Sequence, residues 1–331
     1  MESKMKTIHL QDIEEAADRI NSYIRHTPLL REGNLDSLLN CKAYLKPEML
    51  QITGAFKIRG AFSKVLTLSE EERKRGIITS SSGNHGQACA YLGKYFQIPV
   101  VVVVPEKTPD SSIAAARANG ARVEVLSPDY DTRWNWIHKE AEEQGYTIVH
   151  PFEDNFVAAG QGTIGLEILK DLPDVDTVVV PIGGGGLISG IATAVKEIRP
   201  QARVIGIQPA NSAPYYASRV TGKPTEIPYK STIANGLACR KPGIYPYPII
   251  EKYVDDIILV EEEEIAQAVK LLGEKAKLVG EPSACVGIAA ALSGKLNTRP
   301  DEKVAFVLTS GNWDVETIGR FYKNEPVDGI L

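Results

Sequence analysis

Cysteine is scarce in this chain, and the four present, Cys41, Cys89, Cys239 and Cys285, stand far apart with no C-x-x-C pair. That spacing offers neither a zinc site nor a disulfide framework, so free thiols in a reducing compartment are expected. A basic block is missing as well. The 37 Lys and Arg against 42 Asp and Glu leave a net charge of −5, and nothing gathers positive charge to meet the phosphates of a nucleic acid. Long hydrophobic runs are lacking: the longest, Ile98 to Val104, contains Pro99 and is far too short to span a bilayer. Met1-Glu2-Ser3-Lys4-Met5 has no apolar signal region. Internal repeats and low-complexity segments are absent too. Together these absences predict a cytoplasmic protein with no nucleic-acid or membrane partner.

What is present reads as two α/β domains in 331 residues, 43% of them hydrophobic. Apolar spacing predicts a helix from Leu10 to Tyr23, a short strand at 41–45, and a helix running from the Lys57 stretch to about Leu66. Between 76 and 152, strands at 76–79, 100–104, 122–126 and 147–149 alternate with helices at 87–95, 111–119 and 132–144. This is the rhythm of parallel βαβ units. A second series follows, with helices from Gly160 to Asp171, from the Gly183–Gly186 run to Ile198, from Ile265 to Leu278 and from Ala284 to Ser293. Its strands are expected at 177–181, 204–208, 257–260 and 303–308. Tyr215 to Pro248 reads as loop. The predicted fold has two open, mostly parallel sheet domains with helices on both faces and the active site in the cleft between them. Residues 1–75 and 153–331 form the large cofactor-binding domain and 76–152 a small α/β domain.

Four places carry chemistry. Lys57 lies in Gly54-Ala55-Phe56-Lys57-Ile58-Arg59-Gly60-Ala61, where apolar neighbours desolvate its ammonium and favour the neutral, nucleophilic amine. Gly183 to Gly186 follow a buried strand and open a helix, so backbone N–H groups can close on an anion. No Walker lysine follows, which argues against a nucleoside triphosphate. Ser80-Ser81-Ser82-Gly83-Asn84-His85-Gly86-Gln87 ends another strand, where open α/β sheets bind ligands, and its hydroxyls and N–H groups suit a carboxylate. Thr309-Ser310-Gly311-Asn312 ends the last strand, with hydroxyls able to meet a heteroaromatic nitrogen. An amine for an aldehyde, a phosphate cradle and partners for a ring oxygen and nitrogen fit pyridoxal 5'-phosphate.

The motifs just quoted, with Ala159-Gly160-Gln161-Gly162-Thr163 and Gly280-Glu281-Pro282, resemble those of the tryptophan-synthase-β-like (fold type II) pyridoxal phosphate enzymes. Within these the chain is similar to the serine/threonine dehydratase and serine racemase family, over about residues 10 to 320. The resemblance implies that Lys57 binds the cofactor aldehyde and takes the substrate's α-proton, that Phe56 packs beside the ring and that Asn84 bonds its 3-hydroxyl. It implies that Gly183, Gly184, Gly185 and Gly186 hold the phosphate, Thr309 the ring nitrogen, and that Gly236 and Glu281 line the ring. Ser81, Ser82, His85 and Arg133 are the implied substrate-binding residues, Ser82 being also the second acid–base group. The implied reaction is loss of water from a β-hydroxy amino acid, L-threonine or L-serine first, giving a 2-keto acid and ammonia. A homo-oligomer, dimer or tetramer, is the expected state.

Ser82 matches racemases and hydroxyaspartate dehydratases, where threonine dehydratases commonly carry Ala, and Arg133 matches a racemase-type position. His150-Pro151-Phe152 resembles the dehydratases. Racemisation or hydroxyaspartate dehydration is thus the alternative within the family, and a cofactor-binding scaffold without catalysis the alternative outside it. Gln208 and Pro214 stand where racemase-type enzymes have cation-binding carboxylates, so no metal is expected. Trp134 and Trp136 are unusual beside Arg133 and read either as helix packing or as a substrate-pocket wall. From the short stretch after Asn312, the regulatory domain of biosynthetic threonine dehydratases is not expected.

Overall fold

A computed structural model describes residues 7–127 and 129–325, so the Met1–Met5 reading lies outside the described residues. Its strands are β1 Leu30–Arg31, β2 Lys42–Pro47, β3 Ile77–Ser80, β4 Val100–Pro105, β5 Arg122–Leu126, β6 Thr147–Ile148, β7 Thr177–Pro181, β8 Arg203–Pro209, β9 Asp256–Val260 and β10 Lys303–Leu308. Six form one sheet in the order β1-β2-β10-β7-β8-β9, and four form a second in the order β5-β4-β3-β6. The strand pairings are parallel except β1 with β2.

Side chains alternate across a strand, and both sheets use the alternation to bury two faces. On β7, Val179 packs into one core cluster while Val178 and Val180 pack into another. On β4, Val100, Val102 and Val104 face the Asn84–Phe96 helix side, and Val101 and Val103 face Trp134 and Ile137 of the Tyr130–Gln144 helix. Helices therefore cover both faces of each sheet, the α/β class expected. Trp134 is 7% exposed in that second cluster, which supports its packing reading, and Trp136 lies against the same cluster.

Several boundaries differ from the sequence pattern, each for a local reason. The predicted Gly160–Asp171 helix begins at Asn155, because Asp154 Oδ1 accepts the N–H groups of Phe156 (2.8 Å) and Val157 (3.0 Å) and caps it early. The region read as loop holds the Pro214–Thr221 helix and the start of the Pro246–Tyr253 helix. Their prolines stand at the first helical position, where a missing N–H costs nothing. The first helix stops at Ile20, not Tyr23. The helix predicted over Ile265–Leu278 runs as α-helix over Glu262–Leu271 and continues as a π-turn to Ala276, closed by Lys277 at φ 57°. β1 and the Val315–Tyr322 helix had no sequence signal strong enough to predict them.

Candidate active site

Four helices begin close after the C-terminal end of a strand or turn and bring their first residues together. They start at Lys57, Asn84, Gly186 and Pro282. Backbone bonds fasten the Lys57 turn to the chain after β10: Phe56 N–H donates to Thr309 O (3.0 Å), and Gly311 N–H donates to Gly54 O (3.0 Å). Gly54 needs its positive φ of 69°, and a Cβ there would fall 2.1 Å from Asn312 Oδ1.

From this seam the contacts close into a ring. Asn312 Nδ2 donates to Asn84 Oδ1 (2.7 Å), and Asn84 Nδ2 donates to Glu281 Oε1 (3.1 Å). Ser310 Oγ donates to the same Glu281 oxygen and lies 3.3 Å from Thr309 Oγ1. Burial raises the Glu281 pKa, against the pull of the Ser310 and Asn84 donors. Gly236 N–H donates to Ser283 Oγ (2.9 Å), and the Gly236 carbonyl lies against Gly183. Lys57 Nζ donates to the Pro151 carbonyl at 3.2 Å. The next residue, Phe152, covers Gly184 and Gly186, so a Cβ on Gly184 would sit 2.2 Å from its ring. Phe56, Lys57, Asn84, Gly183, Gly184, Gly186, Gly236, Glu281 and Thr309 thus form one connected constellation.

The other predicted residues are placed differently. Ser81 Oγ accepts the Gly83 N–H at 3.3 Å, and Ser82 is exposed on the same turn. His85 is buried, its Nε2 3.0 Å from the Val149 carbonyl. Burial, then the charge of Lys57, pushes its pKa down to about 3, so it stays neutral and its ring is not offered to solvent. Arg133 Nη1 donates to the carbonyls of Ser127 (2.8 Å) and Asp129 (3.2 Å), binding the turn ahead of its own helix. Gln208 Oε1 accepts the Tyr216 N–H (3.0 Å), and Pro214 starts a helix. Among the described residues, no group of three or more His, Cys, Asp or Glu is placed to hold a metal ion.

Sequence reasoning missed four residues around the site. Tyr215 is fully buried, its hydroxyl donating to Gly184 O (2.8 Å) and accepting Gly243 N–H (2.8 Å). Glu153 accepts the N–H groups of Ile244 (2.6 Å) and Tyr245 (2.8 Å). Cys239 and Cys89 lie near enough to Lys57 to act on its charge. None sits in a motif; only the tertiary fold brings them there.

The residues fit an anionic aldehyde. Burial lowers the Lys57 pKa to about 8, with Cys239 and Cys89 opposing the drop, so a neutral amine is available near physiological pH. Gly185 stands at φ 94°, and a Cβ there would meet the Tyr215 hydroxyl at 2.3 Å. Glycine is thus required beside the first N–H groups of the Gly186–Ile198 helix, which have no intrahelical acceptor and favour a phosphate.

An amine whose pKa burial lowers to about 8, joined through one turn to a cradle of glycines, defines a class of enzyme that works through a phosphorylated aldehyde. A family profile described as "Pyridoxal-phosphate dependent enzyme" matches residues 20–310, and the chain belongs to that family. It is 45% identical over 313 residues to an L-threonine ammonia-lyase of Thermotoga maritima, covering 95% of this chain and 78% of that protein. Among solved structures, a maize serine racemase superposes with a TM-score of 0.91 at 34% identity, covering 96% of this chain and 98% of that one. The processed form of threonine deaminase isoform 2 from Solanum lycopersicum gives 0.87 at 30%, covering 98% and 96%. The cofactor of the family is pyridoxal phosphate, the cofactor expected from the motifs.

Proposed function

We propose that this protein is an ammonia-lyase that removes water and then ammonia from L-threonine, and from L-serine as a second substrate, to leave a 2-keto acid. The observation that carries the reading is the ring of contacts joining Lys57 to the glycine cradle through Pro151 and Phe152. The identity of 45% to an L-threonine ammonia-lyase supports the choice of substrate. Bound pyridoxal phosphate supplies an electron sink for the substrate's α-carbon. Gly183 to Gly186 hold its phosphate, Asn84 and Thr309 orient its ring, and Phe56 and Gly236 wall it. Glu281 fixes Asn84 and Ser310 in turn. The Lys57 amine accepts the α-proton. The β-hydroxyl leaves as water, a second water returns to the released enamine product, and ammonia departs. Residues 76–152 act as a small domain, with 1–75 and 153–331 as the larger one.

A second reading, racemisation, is favoured by Ser82, a hydroxyl exposed on the turn before Asn84. The test is a keto-acid screen over serine, threonine and hydroxyaspartate of both chiralities, with wild type and Ser82→Ala. Strong keto-acid formation from L-threonine that survives Ser82→Ala is the expected outcome. Any D-product should vanish in that variant, since acid–base groups contribute about 10²- to 10⁴-fold. Absence of keto acid from every substrate defeats the lyase reading. A wild type without D-product, together with a badly damaged L-elimination in Ser82→Ala, removes the racemase reading and makes Ser82 a substrate-binding group.

A further inference from the structure

The turn His150-Pro151-Phe152-Glu153 lies between β6 and the Asn155–Asp171 helix, and His150 organises it. Its Nδ1 accepts two backbone N–H groups, from Phe152 at 3.2 Å and from Glu153 at 2.8 Å. With Nδ1 accepting, the ring proton belongs on Nε2, which lies 3.5 Å from the Tyr130 hydroxyl. The ring stacks on Trp134 with centroids 4.2 Å apart and planes 24° apart, and it meets Phe152 edge-on at 4.7 Å. His150 makes no hydrogen bond to Lys57. The two residues after it do the touching, Pro151 O on the Lys57 amine and the Phe152 ring on Gly184 and Gly186.

We propose that His150 is a positioning residue of the cofactor site: its imidazole shapes the turn that sets Pro151 on Lys57 and Phe152 on the phosphate-binding glycines. Its stack on Trp134 ties that turn to the helix covering the four-stranded sheet. Trp134 thereby gains a role at the site through packing. Burial, followed by the charges of His85, Lys57 and His138, holds the His150 pKa well below its usual value, which keeps Nδ1 free to accept. The proposal rests on the reading of Lys57 and the glycines as the cofactor site.

Two full-length variants test it. His150→Asn keeps a side-chain oxygen able to accept N–H groups two and three residues on, as in an Asx turn. His150→Leu keeps bulk and loses the acceptor. The readouts are the dissociation constant of pyridoxal phosphate from a visible-absorbance titration, the position of the visible band, and the thermal midpoint. Leu should weaken cofactor retention by about tenfold or more, the order expected for two lost hydrogen bonds, and shift the band. Asn should restore both to within about threefold. Retention in Leu equal to wild type, or an Asn variant no better than Leu, overturns the proposal. If Leu does not fold, the Asn variant decides: near-wild-type retention supports the accepted bonds, and weak retention rejects them. Borohydride treatment of the wild type separates the underlying reading. Cofactor fixed to a peptide without Lys57 sinks the site itself and the proposal with it, whereas fixation on Lys57 with Asn equal to Leu sinks only the proposal.

Discussion

Lys57 carries an amine that an ordinary lysine does not offer at neutral pH. Its folded pKa of about 8 lies below the usual 10.5 because burial penalises the charged form. The sign follows directly. Below pH 8 the ammonium is buried at a cost to stability. Between 8 and 10.5 the unfolded chain binds the extra proton, so stability rises with pH over that window. In cofactor-stripped protein, acylation of Lys57 followed by peptide mass spectrometry should rise with a midpoint near pH 8, while surface lysines titrate near 10.5. A Lys57 midpoint with the surface lysines would reject the desolvated site. Borohydride should fix the cofactor to the Lys57 peptide, and Lys57→Ala should abolish turnover. The lysine's immediate neighbours, Phe56 and Ile58, suggest a desolvated amine but equally allow a snorkelling surface lysine; the reading of Lys57 as the cofactor lysine rested on the glycine run and the Asn84 and Thr309 turns further along the chain. Arg133 and His85 were assigned substrate contacts by resemblance. In the folded chain Arg133 donates to the carbonyls of Ser127 and Asp129, and the His85 ring is buried, neither of which the sequence shows.

The Lys57–Val65 helix is anchored by a buried ion network centred on Arg59, two residues after Lys57. Arg59 grips Glu48 through Nε (2.7 Å) and Nη2 (2.8 Å), and Glu167 through Nη1 (2.7 Å) and Nη2 (2.9 Å). Lys46 donates to Glu167 and to Thr27 O, both at 2.6 Å, and Thr27 Oγ1 donates to Glu48 at 2.6 Å. Two cations and two carboxylates balance, and Arg59, Lys46 and Glu48 are 0% exposed. Truncating one member strands a buried charge, so Arg59→Ala should cost about 3–5 kcal/mol in denaturant unfolding. Arg59→Lys should recover little, because an ammonium cannot bridge two carboxylates as a guanidinium fork does. A loss under about 1 kcal/mol would show the network to be dispensable. At this scale the parallel strands and most helices were legible from apolar periodicity. The helices after Ala213 and Tyr245 were not, because a proline at a helix start and a proline in a loop look alike until the backbone is seen.

Across the whole molecule, two sheets with helices on both faces bring loops from distant parts of the chain to one place. No helix among the described residues is long and apolar enough to cross a membrane. With Gln208 bonded to backbone and no acidic cluster beside it among the described residues, an excess of EDTA should leave keto-acid formation and the thermal midpoint unchanged. A large loss restored by magnesium would place a cation there after all. The glycine run was readable in isolation and Lys57 only in company with the other motifs, but the ring they belong to was not. It depends on β2 lying beside β10, far along the chain, with Leu45 opposite Phe306, and on the Ala55–Ser310 bridge. That pairing also sets an order of events at the ribosome. The four-stranded sheet is built from β3 to β6, all in the first half of the chain, and can pair its strands early. The bonds that fasten the Lys57 turn, Phe56 N–H to Thr309 O and Gly311 N–H to Gly54 O, cannot form until Thr309 to Asn312 have been synthesised and released from the exit tunnel, so a nascent chain can be well advanced in folding and still have no place to capture its cofactor.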